Sequence, residues 1–178
     1  MKKLVLEELN RLSVEEFKEA EKFPLVVLLD NIRSMNNVGS FFRTCDAFRV
    51  DKLYLCGYTP CPPHREITKS ALGAEQSVEW EHAESTVRLV QQLKLDGYRV
   101  LAIEQAEESV ALEMFTWEGT APLAIVFGNE VGGVDEEVME VVDGCIEITQ
   151  YGTKHSLNVA VTGGIVIWKM INLNLTKR

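Results

Sequence analysis

The sequence predicts an α/β fold, a single domain with a mainly parallel sheet flanked by helices, because short apolar runs alternate with segments of helical periodicity. The runs are four to six residues long, rich in Leu and β-branched residues, and bounded by polar residues or glycine. Such runs are typical of strands that are buried on both faces. The predicted strands are Leu25–Leu29, Lys52–Cys56, Tyr98–Ile103, Leu123–Phe127 and Cys145–Ile148.

A first helix is predicted from Leu4 to Phe23, with Ser13 and Glu16 spaced as a capping box for its second half. Helical periodicity then recurs between the predicted strands. The further predicted helices are Val38–Phe48, Glu66–Leu72, Ser85–Leu95, Asp135–Val142 and Ser156–Asn172. Since there is no repeat, low-complexity tract or linker, we expect one domain over residues 1–178, with a helical extension (1–23) and a core (24–172).

The composition excludes several classes of protein. With 178 residues and 46% hydrophobic residues, the chain is neither disordered, nor collagen-like, nor a disulfide-stapled mini-protein. It has 27 acidic and 18 basic side chains, a net charge of −9, which argues against holding nucleic acid by bulk positive charge. The acidity is local, however: residues 1–74 carry +1, residues 75–147 carry −14 and residues 148–178 carry +4. The basic residues that remain available to meet phosphate are Arg33, Arg43, Arg65, Lys69, Lys154, Lys177 and Arg178.

No membrane span, targeting segment or metal site is expected. The apolar runs Pro24–Leu29 and Leu157–Trp168 are too short or too interrupted to cross a bilayer, and acidic residues follow soon after Met1. The four cysteines form no C-x-x-C pair and have no paired histidines nearby, and this spacing argues against zinc binding. We therefore expect reduced thiols and a cytoplasmic location.

The loop after the first predicted strand carries Asn37, Gly39 and Arg43. Asn37 is expected to cap the next helix, and Gly39 to let another backbone or a ligand approach closely. A guanidinium on a helix that starts at the carboxyl end of a strand suits phosphate recognition. The spacing leaves open that Asn37 is only a cap and Arg43 only a surface ion-pair partner.

The loop after Phe127 contains Gly128, Gly132 and Gly133 and can cradle an anion or a nucleoside. The glycines do not have G-x-G-x-x-G spacing, and the Lys-Ser/Thr of a P-loop is missing, so neither dinucleotide nor triphosphate binding follows. Glu130 would repel phosphate, which favours a hydroxyl, amine or cationic ligand. A tight turn with no ligand remains an equal alternative.

The loop after Ile148 leads to the last predicted helix. Ser156 is a natural N-cap, and Asn158 in a first turn is unfavourable unless it bonds something. The neighbours His155 and Ser156 do not indicate a hydrolase, because adjacent residues rarely face each other and no G-x-S-x-G motif is present. His155 is expected to be a solvated loop residue.

Taken together and in this order, the three loops closely resemble the three motifs of the SpoU/TrmH family of SPOUT methyltransferases. The motifs are Asn37-x-Gly39-x-x-x-Arg43-Thr44-x-x-Ala47-Phe48, then Phe127-Gly128-x-Glu130-x-x-Gly133, then Ile148, Gly152 and Ser156-Leu157-Asn158-Val159. Lys69-Ser70-Ala71-Leu72-Gly73-Ala74-Glu75 also looks like the family's Ser-x-Gly-Ala segment. The resemblance spans Leu25 to Trp168 and is strongest to the methyltransferase domain of tRNA guanosine 2′-O-methyltransferases. Ile103-Glu104-Gln105 and Val159–Trp168 suggest the eukaryotic-type branch.

The resemblance implies a deep C-terminal trefoil knot where S-adenosylmethionine binds, and a homodimer whose active site is composite across two subunits. RNA is the implied partner, with a tRNA guanosine as the expected substrate of 2′-O-ribose methylation. The positions that match the family's active site are Asn37, Arg43, Glu130, Ser156 and Asn158. The positions that match its cofactor site are Gly128, Ile148 and Leu157, whose backbone groups would hold the adenosine, with Glu104 nearby.

Arg43 has two possible roles under this resemblance: the family's usual proposal of a general base, or a phosphate clamp, since arginine is effectively always protonated. The sequence departs from the family at Arg49, where Gly is usual, and at Thr149, where Pro is usual, so we expect a different turn and a looser cofactor loop. No separate RNA-binding domain is visible. The alternative functions are a ribosomal RNA methyltransferase, a catalytically silent RNA-binding module, and a generic nucleotide-binding or redox protein.

Overall fold

The structure is a computed structural model that describes residues 1–117 and 121–175. Within them, seven strands form one parallel sheet in the order β3-β2-β1-β6-β4-β7-β5. The strands are β1 (Phe23–Asp30), β2 (Val50–Cys56), β3 (Trp80–Ala83), β4 (Arg99–Ile103), β5 (Val110–Ala111), β6 (Leu123–Phe127) and β7 (Gly144–Glu147). The predicted α/β fold with a parallel sheet is confirmed, and each predicted strand is present within two residues of its expected bounds.

The two strands that the sequence analysis missed, β3 and β5, form the edges of the sheet. In β3, Glu81 and His82 are exposed, so the strand lacks the continuous apolar run that marks a strand buried on both faces. In β5 only two residues pair with β7. A polar edge strand and a two-residue strand both fall below what a hydrophobic pattern can indicate.

The helices are α1 (Val14–Glu19), α2 (Met35–Ala47), α3 (Arg65–Ala71), α4 (Ala74–Ser77), α5 (Thr86–Leu95), α6 (Glu136–Met139) and α7 (Val159–Leu175). The prediction of one helix from Leu4 to Phe23 is wrong. A 3₁₀ turn at Leu6–Leu9 ends at Asn10, whose φ is +47°, and only α1 is α-helical. The predicted capping box is confirmed, because the Ser13 side chain accepts the Glu16 N–H and the Glu16 carboxylate accepts the Ser13 N–H.

The position of β1 inside the sheet explains why its sequence is a continuous apolar run. Leu25, Val27 and Leu29 belong to an apolar core that α2, α3 and α7 cover. Val26 and Leu28 face the other way, into a smaller core covered by α5 and α6. A strand with helices on both sides must be apolar at every position, whereas a half-exposed strand would alternate.

Two helix starts differ from the prediction. Helix α2 is capped by Ser34, whose hydroxyl accepts the Asn37 N–H, so Asn37 lies in the first turn and is not the cap. Helix α7 starts at Val159, where the Asn158 side chain accepts N–H groups of the first turn, so Ser156 is not the cap. The side chains of Asn37 and Ser156 are therefore free of backbone capping and available to a site.

Gly39 lies where α2 and α3 cross closely. A Cβ at this position would overlap the Ile67 carbonyl and the Ser70 hydroxyl of α3. The close approach predicted for Gly39 is thus that of another backbone. At the turn after α2, Arg49 adopts φ +48° and its carbonyl accepts the Phe23 N–H at 3.0 Å, so this turn has a left-handed residue although it is not glycine.

Candidate functional site

The loops that follow β4, β6 and β7 surround a cavity of about 680 Å³ at the carboxyl edge of the sheet. This edge is where ligands bind in open parallel sheets. All four residues predicted to bind a cofactor line the cavity, and so do three of the five predicted active-site residues. They are Glu104, Gly128, Ile148 and Leu157, together with Glu130, Ser156 and Asn158.

Glu130 fastens the loop after β6 to the loop after β1. One carboxylate oxygen accepts the Arg33 N–H at 2.9 Å, and the other accepts the Ser34 N–H at 3.0 Å and the Asn37 side-chain amide at 2.9 Å. Partial burial acts to raise the pKa of Glu130, but the hydrogen bonds from Arg33, Asn37 and Ser34 outweigh it and hold the pKa below its usual value. The carboxylate is therefore ionised at neutral pH and acts as an acceptor.

Asn37 extends this chain of hydrogen bonds to the third loop. Its side-chain carbonyl accepts the Asn158 side-chain amide at 3.2 Å. The Asn158 carbonyl oxygen in turn accepts the N–H groups of Ala160 and Val161 at the start of α7. Glu130, Asn37 and Asn158 thus form one hydrogen-bonded chain across all three motif loops.

Arg43 lies apart from this cavity. It is exposed on α2, six residues after Asn37, which is roughly 9 Å along the helix axis at 1.5 Å per residue. Its guanidinium makes no hydrogen bond or ion pair within residues 1–117 and 121–175. Of the predicted active-site residues, the structure brings together Asn37, Glu130, Ser156 and Asn158 but not Arg43.

Glu104 and the glycines of the second loop shape one wall of the cavity. The Glu104 carboxylate accepts the Val134 N–H at 3.1 Å and the Gln105 N–H at 2.9 Å. A Cβ at Gly133, where φ is +72°, would collide with that carboxylate. Gly132 also lines the cavity, and a Cβ there would meet nothing within 4 Å, so its backbone faces open space.

The third loop is held by two side chains from other segments. The Gln105 side-chain amide donates to the His155 carbonyl at 2.8 Å, and the Thr149 hydroxyl donates to the Glu113 carboxylate at 3.4 Å. Thr149 therefore supplies a long hydrogen bond that the proline usual in the family could not donate. Gln105 follows Glu104 in the Ile103-Glu104-Gln105 segment, but nothing in the sequence indicated that it holds this loop.

Asn129 lines the same cavity, although the sequence motifs did not single it out. Its side-chain amide donates to the Asn31 carbonyl at 2.7 Å and to the Tyr58 hydroxyl at 3.0 Å. Its side-chain carbonyl accepts the N–H groups of Val131 and Gly132. Its place between Gly128 and Glu130 was a usable signal, whereas nothing in the sequence pointed to Tyr58.

The structure also bears on metal binding, on membrane crossing and on the state of the cysteines. In the part of the chain that the structure describes, no group of three or more His, Cys, Asp and Glu side chains is arranged to hold a metal ion. Over the same residues, no helix has the length and apolar character that crossing a membrane requires. Cys45, Cys56, Cys61 and Cys145 are free thiols.

Comparison with protein families and comparison with individual known proteins give matches over nearly the same part of this chain. Residues 24–168 match the model of the SpoU rRNA Methylase family. The chain is 34% identical over 176 residues to a tRNA (guanosine(18)-2′-O)-methyltransferase of Aquifex aeolicus, covering 95% of this chain and 78% of that protein. It is 26% identical over 174 residues to the 23S rRNA (guanosine-2′-O-)-methyltransferase RlmB of Vibrio parahaemolyticus, covering 98% of this chain and 69% of that protein.

Solved structures show the same fold. The TrmH/SpoU tRNA modifying enzyme of A. aeolicus superposes with a TM-score of 0.81 at 28% identity, over 92% of this chain and 83% of that one. An AdoMet-bound rRNA methyltransferase from Sinorhizobium meliloti superposes with a TM-score of 0.77 at 25% identity, over 86% of this chain and 58% of that one. The match over residues 24–168 contains all three loops of the site. The chain therefore belongs to the SpoU rRNA Methylase family.

Proposed function

We propose that this protein transfers a methyl group from S-adenosylmethionine to a ribose 2′-oxygen of RNA, with a tRNA guanosine as substrate. The observation that carries the proposal is the hydrogen-bonded chain of Glu130, Asn37 and Asn158, which joins three loops at the mouth of a nucleoside-sized cavity. The name of the A. aeolicus relative, a tRNA (guanosine(18)-2′-O)-methyltransferase at 34% identity over 95% of the chain, supports tRNA. The V. parahaemolyticus relative, covering 98% of the chain, makes ribosomal RNA the second candidate.

The cavity fits the cofactor. Its volume of about 680 Å³ lies within the usual range for small-molecule sites, about 300–1,000 Å³. Ile148 and Leu157 supply apolar surface, backbone groups at Gly128 can hold a nucleoside, and the Glu104 carboxylate can accept a bond from a ribose hydroxyl. The open face of Gly132 leaves room for a ligand against the backbone. When bound there, S-adenosylmethionine supplies an electrophilic methyl group on its sulfonium.

The chain's own residues then have to hold the ribose in line with that methyl group. Positioning of this kind can supply about 7–11 kcal/mol of a reaction barrier. Glu130 fixes the orientation of Asn37, and Asn37 fixes Asn158, so these amides are preorganised before RNA arrives. The Ser156 hydroxyl lines the cavity next to them and can hydrogen-bond a ribose hydroxyl.

Arg43 acts in this proposal as a phosphate clamp that also stabilises negative charge developing on the 2′-oxygen. A guanidinium is protonated throughout the physiological pH range, which makes it a poor general base and a good electrostatic partner. Arg43 is exposed and lies roughly 9 Å along α2 from Asn37, which supports a role at the site of a second copy.

A homodimer with a composite site is part of the same proposal. Val161, Ile165 and Trp168 follow each other at helical spacing on α7 and are 53%, 39% and 54% exposed. An apolar stripe of this kind marks an interaction surface. Because α7 packs beside α2, a second copy seated on the stripe would approach the helix that carries Arg43.

The C-terminal trefoil knot and the cytoplasmic location also belong to this proposal. The contact between Gln105 and His155 brings the third loop against the segment that follows β4, as threading of the C-terminal chain through that segment requires. We propose residues 1–178 as one domain, with 24–172 as the catalytic core and 1–23 as an extension. The four free thiols suit a reducing compartment.

Calorimetric titration with S-adenosylhomocysteine tests the cofactor site, and we expect saturable binding near one per chain. Transfer of radioactive methyl groups to purified tRNA and to ribosomal RNA, followed by ribose-methylation mapping of total RNA from a deletion strain, identifies the substrate. Light scattering measures the oligomeric state. Absence of S-adenosylhomocysteine binding would remove the methyltransferase proposal, and labelling of ribosomal RNA alone would replace tRNA as the substrate.

A further inference from the structure

Tyr58 is an aromatic side chain held in solvent beside the active-site loops. It follows β2 by two residues, at the carboxyl edge of the sheet, and is 63% exposed. Burial therefore does not explain its position. Within residues 1–117 and 121–175 it belongs to neither of the two apolar clusters.

The Tyr58 ring is nevertheless anchored at both ends. Its backbone N–H donates to the Asn31 side-chain carbonyl at 3.2 Å, and its hydroxyl oxygen accepts the Asn129 side-chain amide at 3.0 Å. The same Asn129 side-chain amide also donates to the backbone carbonyl of Asn31 at 2.7 Å. An exposed ring fixed by its backbone and by its hydroxyl loses little additional freedom when a planar ligand settles on it.

The anchor places Tyr58 next to the reacting part of the site. Asn129 lines the cavity and immediately precedes Glu130, whose carboxylate orients Asn37. On the other side, Asn31 is two residues before Arg33, whose exposed side chain leaves the same loop. A flat aromatic surface thus lies beside the cavity and is tied to the loop that carries Arg33, a cation that can meet a phosphate.

We infer that the Tyr58 ring is a stacking platform for an unpaired base of the RNA substrate, either the base of the methylated nucleotide or its neighbour. The inference rests on the proposed function and names a recognition residue of that same site. Proteins that read single-stranded RNA stack unpaired bases on aromatic rings and hold the adjoining phosphates with Arg or Lys. Loss of one such platform typically weakens RNA binding roughly 5- to 150-fold.

A purely supporting role predicts a different outcome. If Tyr58 served only to hold Asn129 through its hydroxyl, removal of the hydroxyl alone would disturb the loop that lines the cofactor cavity. If the ring is a platform, removal of the hydroxyl leaves the stacking surface in place. Tyr58→Phe and Tyr58→Leu therefore separate the two roles, since the first keeps the ring and the second removes it.

The experiment compares Tyr58→Phe and Tyr58→Leu with the wild type. The control is Leu95→Ala, which trims an exposed apolar residue at the end of α5, near the amino end of β4 and thus on the side of the sheet opposite to Tyr58. At one fixed salt concentration we measure Kd for purified tRNA and for ribosomal RNA, Kd for S-adenosylhomocysteine, kcat and KM for RNA, and Tm. For Tyr58→Leu we expect about a tenfold rise in the RNA Kd and KM. Its cofactor Kd and Tm should be unchanged, while Tyr58→Phe and Leu95→Ala stay within about threefold of wild type in every quantity.

The platform is refuted if Tyr58→Leu binds RNA as the wild type does, or if Tyr58→Phe loses RNA affinity and cofactor affinity as far as Tyr58→Leu does. Failure of the proposed function is a separate result. A wild-type protein that binds RNA but transfers no methyl group contradicts the methyltransferase, while the RNA Kd values still decide the role of Tyr58. A wild-type protein that binds neither RNA overturns both.

Discussion

Replacement of Glu130 by glutamine tests whether this carboxylate joins the loops after β1 and β6. Oε1 accepts bonds from Ser34 and Asn37, and Oε2 accepts one from the Arg33 N–H. An amide keeps an oxygen for the first two donors but turns an N–H group toward Arg33, so one hydrogen bond becomes a contact between two donors. Such a loss costs about 1–3 kcal/mol, and because water reaches the exposed Glu130 we expect the lower end, about 1 kcal/mol.

A loss of about 1 kcal/mol in the free energy of unfolding lowers Tm by roughly 2–4 °C for a chain of this length. The pH dependence has a definite sign, because the pKa of Glu130 is held below its usual value. The stabilisation is present above the usual glutamate pKa and is lost as pH falls through the lowered folded-state value. The amide does not titrate, so the difference in Tm between wild type and Glu130→Gln should shrink as the solution is made acidic.

Thermal unfolding followed by circular dichroism from neutral to acidic pH provides the measurement. Glu107→Gln is the matched control, because Glu107 is exposed and its side chain makes no hydrogen bond or ion pair in the part of the chain that the structure describes. The reasoning is refuted if Glu130→Gln melts with the wild type at pH 7, or if its deficit persists undiminished in acid.

Three further substitutions test the fold, the cofactor loop and the chemistry. Gly39→Ala should lower stability by about 2 kcal/mol in chemical denaturation, since its methyl group would strike Ser70 on α3; unchanged stability would contradict the tight crossing. Gln105→Ala should weaken S-adenosylhomocysteine binding about fivefold in calorimetry, the effect of one lost hydrogen bond to the third loop; unchanged affinity would show that the tether does not hold the cofactor loop. Arg43→Lys should keep wild-type Tm and cofactor affinity but lose on the order of 10²-fold in methylation rate, and normal turnover would exclude both roles considered for Arg43.

The sequence predicted the strands of the sheet where burial on both faces leaves a continuous apolar run, as in β1 and β6. Prediction failed where the chemistry of an element depends on its neighbours. Among the residues that the structure describes, Trp80–Ala83 pairs only with β2, so it can carry polar residues and still be a strand. The N-terminal segment has helix-forming residues throughout, but Asn10 turns left-handed, and a periodic pattern cannot register a single such residue.

The candidate site was likewise predictable only in part: the grouping of its loops could be expected, but the pairing of their side chains could not. The three loops could be assigned to one edge of the sheet because parallel strands deliver their carboxyl ends together. The pairing of Asn37 with Glu130 and Asn158 was not predictable, because it depends on Ser34 taking the cap that the spacing assigned to Asn37. Residue type alone favours asparagine and serine equally as caps, so only the path of the loop decides which side chain is left for the site.

The charge distribution in three dimensions reconciles an acidic chain with an RNA substrate. Glu107, Glu108 and Glu113 lie in the segment that includes β5, at one edge of the sheet, and α6 with its two acids covers the smaller core. Arg33 and Arg65 lie by contrast next to α2 and α3, at the half of the sheet that contains β2.

Five strand spacings separate β2 from β5, roughly 24 Å, which exceeds a Debye length of about 8 Å at physiological salt. The acids at the β5 edge are therefore screened from a phosphate at the α2–α3 face, and Glu130, which is near that face, already has its carboxylate hydrogen-bonded to three donors. Lys177 and Arg178, two further predicted phosphate contacts, lie outside the described residues, so the cations that can be placed at this face are those of α2, α3 and their loops. Part of the acidity behind the net charge of −9 therefore lies at the far edge and over the smaller core, and Glu79 and Glu81, which lie beside β2, are paired with Lys52, so the net charge overstates the repulsion at the surface that the proposal assigns to RNA.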